Sequence, residues 1–168
     1  MLKNRESDKF KAYWYKYEGI DQLPSEQWHR YFKYNEVGDW IYVLVDKEKK
    51  MHQQPYLVMS NSITELRTNQ IIMDEARGDV LSLGLGINFI ADQILSNPKV
   101  TSFTVIEKYP EIIEWYGRDD FTIIQGDARY IKLDKKYDVI WDDVHEGACL
   151  NMRQYLKSEG QHIIWNAE

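Results

Sequence analysis

The sequence predicts an α/β protein: a doubly wound, mostly parallel five-stranded sheet with a small N-terminal α+β hairpin extension. Three observations predict it. Short runs rich in β-branched and aromatic residues recur at 80–83, 100–106, 121–124, 137–141 and 162–165. Helical stretches separate most of them, at 87–95, 110–115 and 148–156. The first run, Val80-Leu-Ser-Leu, leads straight into Gly84-Leu-Gly86. Strands that alternate with helices, and are apolar enough to be buried on both faces, imply a parallel sheet. Right-handed crossovers wind it in both directions from its first strand. Ligands of such sheets bind beyond the carboxyl ends of the strands.

The N-terminal part reads differently. Phe10, Tyr13, Trp14 and Tyr17 stand at i, i+3, i+4 and i+7, the spacing of one helical face, and predict a helix. A second short helix is expected after Pro24-Ser25, with Ser25 as N-cap and Trp28, Tyr31 and Phe32 turned inward. Residues 40–45 read as a strand, 46–50 as a polar turn and 54–59 as the returning strand of a hairpin. Pro55 restricts that strand to an edge or a strand start. Ser62-Ile-Thr-Glu65 reads as a capping box for a helix reaching about Ala76. The expected organisation is an aromatic-rich extension over 1–60 and a nucleotide-binding domain over 61–168.

Bulk properties narrow the function. With 168 residues and 43% hydrophobic content the chain suits one domain with an appendage. Its single cysteine, Cys149, excludes an internal disulfide and a cysteine-based metal cluster. The first ten residues are charged, without the apolar stretch of a signal peptide. No apolar run approaches the roughly 20 residues that span a bilayer, so no membrane role and a cytoplasmic location are expected. The net charge is −6, and residues 51–168 hold 11 Lys/Arg against 18 Asp/Glu. An acidic domain is a poor partner for phosphate backbones and suits small cationic ligands.

The glycine turn is the first chemical feature. Two glycines after an apolar strand let the backbone approach a ligand without an intervening Cβ. Glu107 follows the next strand, 21 residues after Gly86, where an acid can accept both hydroxyl protons of a ribose. A strand-tip carboxylate is expected to be exposed there. The third strand ends 20 residues further on in Gly126-Asp127-Ala128, where an Asp can accept from an adenine amino group. A pyrophosphate loop of the dinucleotide kind would want glycine at position 89, where Phe89 stands.

This ordered series resembles the S-adenosylmethionine (SAM)-dependent methyltransferases of the Rossmann-like class, and more narrowly their spermidine-synthase-like branch. Its carriers are Val80-Leu-Ser-Leu-Gly84-Leu-Gly86, Val105-Ile106-Glu107, Gly126-Asp127-Ala128 and Tyr137-Asp-Val-Ile-Trp-Asp142-Asp143. The resemblance implies a minimal core of that class. It also implies a site for SAM or decarboxylated SAM made by Gly84, Leu85, Gly86, Asn88, Glu107, Lys108, Asp127, Ala128 and Asp142. Glu107 would hold the ribose, Asp127-Ala128 the adenine, and the Gly84–Gly86 backbone the amino-acid end. Two departures stand out. Aminopropyltransferases carry in the glycine loop an Asp that engages the cofactor amine, and Asn88 lacks its charge. Family members also usually add two strands after the fifth, so an exposed sheet edge would admit a partner or a homo-oligomer.

The fourth strand ends in Trp141-Asp142-Asp143-Val144-His145-Glu146. Asp143 would orient a cationic acceptor or take up its proton, and His145 would serve as a base near neutral pH. The acidic cluster is too compressed to converge on one ion, so no metal is assigned. Asn/Asp-Pro-Pro-Tyr/Phe is missing after this strand, which argues against amino-methylation of DNA bases. The expected function is methyl transfer from SAM to a small molecule or protein side chain. Aminopropyl transfer, or a SAM-binding or SAM-cleaving protein without an acceptor, are the alternatives. Tyr13, Trp14, Tyr15, Tyr17, Trp28 and Tyr56 are candidates to cap an acceptor pocket, with simple packing the competing role.

Overall fold

The computed structural model describes residues 2–24, 26–51, 54–144 and 148–165. The chain divides into two units, Met1–Thr68 and Asn69–Glu168.

The first unit is an antiparallel sheet of β1 (Arg5–Glu6), β2 (Phe10–Lys16), β3 (Trp40–Met51) and β4 (Gln54–Ser60), in that spatial order. With it fold α1 (Glu26–Phe32) and α2 (Ile63–Thr68). The helix expected over Phe10–Tyr17 is therefore corrected to a strand. The Tyr13-Trp14-Tyr15 run favours a pleated backbone, and β2 pairs with β3 from Phe10↔Asp46 to Lys16↔Trp40. The polar turn expected at 46–50 instead lies inside β3. The register slips there, and Asp46 Oδ1 accepts the N–H groups of Glu48 and Lys49, both at 2.9 Å. Trp28, Tyr31 and Phe32 are buried as the sequence implies, while Ser25 lies outside the described residues. Tyr15, Tyr17 and Trp28 meet one another or Phe32 with ring centroids 5.3–6.1 Å apart, so these aromatics build a core. The Gln27 side-chain amide bonds both backbone groups of Leu57 on the edge strand β4, at 2.8 and 3.1 Å.

The expected capping box forms with a shift. Ser62 Oγ accepts from the Glu65 N–H (3.3 Å), while the Glu65 carboxylate reaches back to the Ser60 N–H (3.2 Å). The helix stops at Thr68, whose hydroxyl competes for the carbonyls of Thr64 and Glu65. A separate α3 (Gln70–Glu75) follows Asn69.

The second unit is the predicted sheet. Its strands are β5 (Gly78–Leu83), β6 (Val100–Glu107), β7 (Thr122–Gln125), β8 (Tyr137–Asp142) and β9 (Leu156–Ile164), in the order β7-β6-β5-β8-β9. Every pairing is parallel. Val80, Leu81, Leu83, Val105, Ile106, Val139, Ile140 and Trp141 are all buried, as doubly covered strands require. Beside the sheet lie α4 (Ala91–Ser96) and α5 (Pro110–Tyr116). Two helix boundaries need correction. The helix after the glycine turn starts at Ala91, not Ile87, because residues 86–90 form turns. The helix expected over 148–156 is a 3-10 helix, Leu150–Tyr155, and Leu156 already belongs to β9. The cause is tertiary: Asp142 captures the Cys149 N–H and Leu156 pairs with Tyr137. Too few residues remain between those anchors for a regular α-helix. Among the described residues no helix is long and apolar enough to cross a membrane.

At the amino edge of the sheet a charge network joins four strands. Asp79 on β5 accepts from Lys135 and Lys157 (2.8 Å each) and from Ser102 on β6, and Lys157 on β9 also holds Asp138 on β8 (2.7 Å).

Candidate functional site

The carboxyl ends of β5, β6, β7 and β8 come together by register. Leu83 pairs with both Ile106 and Asp142, and Glu107 pairs with Gln125. The chain leaves β5 toward β6 on one side and returns to β8 on the other, so the switch point lies between Gly84 and Asp143. Gly84 (φ 99°) and Gly86 (φ 55°) take left-handed conformations that only glycine adopts without strain. Among the described residues, a Cβ on Gly84 would come within 4 Å of the Asp143 carbonyl oxygen alone, at 3.6 Å.

Leu85 and Glu107 are linked directly. The Leu85 N–H donates to Glu107 Oε2 and the Tyr109 N–H to Oε1, both at 2.9 Å. Glu107 is 6% exposed, so the expectation of an exposed strand-tip acid is corrected. Burial pushes its carboxyl above the ordinary glutamate value, opposed by the N–H groups of Leu85, Tyr109, Lys108 and Gly86. The acid at this position thus braces the glycine turn from within the fold.

Asn88 is the one non-glycine residue with a left-handed backbone among the described residues (φ 62°). Its side-chain amide donates to the Tyr116 carbonyl at 3.2 Å, which ties the loop to the end of α5. Asp127 is likewise occupied. Its carboxylate takes the Arg129 guanidinium (2.6 and 2.9 Å) and the Lys108 ammonium (3.2 Å). Those two cations, Arg129 first, hold Asp127 well below the ordinary carboxylate range. Ala128 is buried in the sheet core with Leu83 and Ile106.

The two acids ending β8 separate. Asp142 is 1% exposed, and its Oδ2 accepts from the Cys149 N–H (2.6 Å) and lies 3.1 Å from His162 Nε2. Asp143 is partly buried, and burial, with the neighbouring Asp142 charge second, pushes its carboxyl up to about 8. His145 lies outside the described residues. Sequence reasoning did not single out His162 or Arg129. The β8–β9 register brings His162 to Asp142, and Arg129 finds Asp127 through a turn only two residues long.

No protein-family model matches the sequence, and no curated protein matches it by sequence. Part of the chain is similar to several solved structures. The N-methyltransferase NodS of Bradyrhizobium japonicum WM9, in complex with S-adenosyl-L-homocysteine, is 15% identical, with 60% of each chain covered and a TM-score of 0.48. CalS10 of Micromonospora echinaspora, an amino pentose methyltransferase with SAM bound, is 15% identical, with 60% of this chain and 48% of that one covered and a TM-score of 0.46. The plantazolicin methyltransferase BpumL, with S-adenosylhomocysteine, is 19% identical, with 60% and 46% covered and a TM-score of 0.49. The chain thus spans between about half and two thirds of the length of these proteins.

Proposed function

We propose that the protein is a SAM-dependent methyltransferase acting on a small molecule or a protein side chain. One observation carries the reading: a left-handed glycine turn at the sheet's switch point, braced through Leu85 by a buried acid at the tip of the neighbouring strand. In this reading the turn would supply close-approach backbone and the acid a ribose acceptor. SAM would supply an electrophilic methyl group on a sulfonium. The Gly84–Gly86 backbone would hold its amino-acid end, Glu107 its ribose, and the Asp127-Ala128 turn its adenine. Asp143, whose backbone adjoins Gly84, would face the acceptor and take up its proton. A proton acceptor raised to about 8 is suited to an amine or hydroxyl near neutral pH. The N-terminal aromatics are proposed to contribute packing first.

Asn88 favours methyl over aminopropyl transfer. Its amide nitrogen donates to the Tyr116 carbonyl, and the side chain carries no charge for a cofactor amine. Titration calorimetry with S-adenosylhomocysteine tests the reading. Micromolar binding is expected in the wild type. Glu107→Ala is expected to weaken it at least about tenfold, the scale of a hydrogen bond to a charged group. Unchanged affinity in that variant would sink the ribose assignment. Product analysis with SAM, decarboxylated SAM and putrescine then separates methyl transfer from aminopropyl transfer, and cofactor breakdown without acceptor would support cleavage.

A further inference from the structure

The turn after β7 carries a saturated carboxylate. A carboxylate offers about four acceptor positions, and four donors among the described residues hold that of Asp127. Its Oδ1 accepts the backbone N–H of Arg129 at 3.1 Å and the Arg129 Nε–H at 2.9 Å. Its Oδ2 accepts from Arg129 Nη2 at 2.6 Å and from the Lys108 ammonium at 3.2 Å. Three of these four donors therefore belong to cationic side chains.

The turn is held without those cations. The Asp127 carbonyl accepts the N–H groups of Tyr130 (3.0 Å) and Ile131 (3.1 Å), and the Asn151 side-chain amide donates to the Arg129 carbonyl (3.1 Å). The Arg129 N–H orients the carboxylate from the backbone. The side chains of Arg129 and Lys108 are 38% and 44% exposed, and that of Asp127 21%. Ion pairs so exposed are weakly held. The two cations thus form an outer layer that can leave while the backbone stays in place. The guanidinium already lies 5.5 Å from the centre of the exposed Tyr130 ring, a face on which it can rest once released.

We propose that Arg129 sets base selectivity at this turn: its guanidinium closes the Asp127 carboxylate to other donors, and a 6-amino purine binds there only by displacing it. The inference rests on the reading of the Asp127-Ala128 turn as the adenine end of the SAM site. An adenine amino group is a donor and needs a vacant carboxylate position, so it competes with the Arg129 fork for the same oxygens. Lys108 is the lesser competitor, with one contact at longer range. A 6-oxo purine presents an acceptor at that position and gains nothing from a freed carboxylate. Salt screens an exposed ion pair, so it eases the entry of a ligand without net charge.

Titration calorimetry of S-adenosylhomocysteine and S-inosylhomocysteine, on the wild type and on Arg129→Met, tests it without knowledge of the methyl acceptor. Met keeps an unbranched stem and lacks the fork. The substitution is expected to tighten S-adenosylhomocysteine about threefold to fivefold, the reach of an exposed ion pair, and to leave S-inosylhomocysteine within about twofold. Raising salt from about 0.05 M to about 0.5 M is expected to tighten the adenine ligand in the wild type and not in Arg129→Met. Arg129→Lys keeps the charge without the two-point grip and is expected to fall between the two. Should Arg129→Met not fold, Arg129→Lys carries the same comparison. Equal or weaker binding of S-adenosylhomocysteine by the folded variant overturns the proposal and leaves the cofactor reading standing. Absence of binding in wild type and variant alike overturns the cofactor reading, and the role of Arg129 with it.

Discussion

Glu107 shows how one side chain serves architecture and site at once. Its two oxygens hold the backbone on either side of the glycine turn's opening, through Leu85 and Tyr109. Those bonds offset the burial that lifts its carboxyl above the ordinary value. Asp143 makes the opposite balance. Burial and the Asp142 charge raise it from 3.8 to about 8. The folded protein therefore binds this proton more tightly than the unfolded chain does. Its contribution to stability is present below the ordinary aspartate value and is lost as pH rises toward about 8. Asp143→Asn cannot ionise, so its melting temperature is expected to exceed that of the wild type at pH 9 and to match it near pH 4. Calorimetric melting across that range checks this. A wild type that is the more stable at pH 9 would contradict the raised ionisation.

Two elements carry tests of how the strands are held. Gly78 opens β5 with φ 57°, and a Cβ there would lie 2.1 Å from Asp138 Oδ2. That oxygen is bonded to the Asp79 N–H and to Lys157, so it cannot retreat cheaply. Gly78→Ala is expected to cost about 2 kcal/mol or more in denaturant unfolding, from strain and the displaced acid together. In the N-terminal unit, Gln27 occupies the backbone groups of Leu57 at the edge of β4. Gln27→Ala would leave a buried N–H and C=O without their partners, at about 1–3 kcal/mol. Urea unfolding with the Leu57 amide followed by hydrogen exchange checks it, and unchanged protection of that amide would contradict the role. Gln27 also guards the strand against pairing with another chain.

At the scale of the molecule, the acidic balance is organised rather than spread at random. Asp79, held down first by Lys135, then Lys157 and Ser102, and Asp127, held down first by Arg129, are carboxylates stabilised by folding. Depressed acids contribute stability above their ordinary value near 3.8 and lose it as pH falls below that. The whole chain is thus expected to lose stability on acidification below about pH 4. Asp79→Asn should be less stable than the wild type at pH 7, with the difference shrinking progressively as pH falls below about 4. Each exposed pair adds about 1 kcal/mol or less, so the network as a whole is what the melting curve would register.

What was legible in the sequence follows from which signals are local. The glycine turn, the acid 21 residues on and the alternation of apolar runs with helices each depend on a few neighbouring residues. They determined the parallel sheet, its five strands and the edge on which Gly84, Glu107, Asp127 and Asp143 gather. The spacing of Phe10, Tyr13, Trp14 and Tyr17 fits a helical face, yet the same residues suit a β-strand, and only pairing with β3 decides between them. The 3-10 helix after Cys149 and the burial of Glu107 were decided by hydrogen bonds to partners elsewhere in the chain or across the sheet. The same holds for Asp142 and Asp143. Adjacent and identical in sequence, they are separated by the tertiary structure, because β9 places His162 against one of them and the glycine turn adjoins the other.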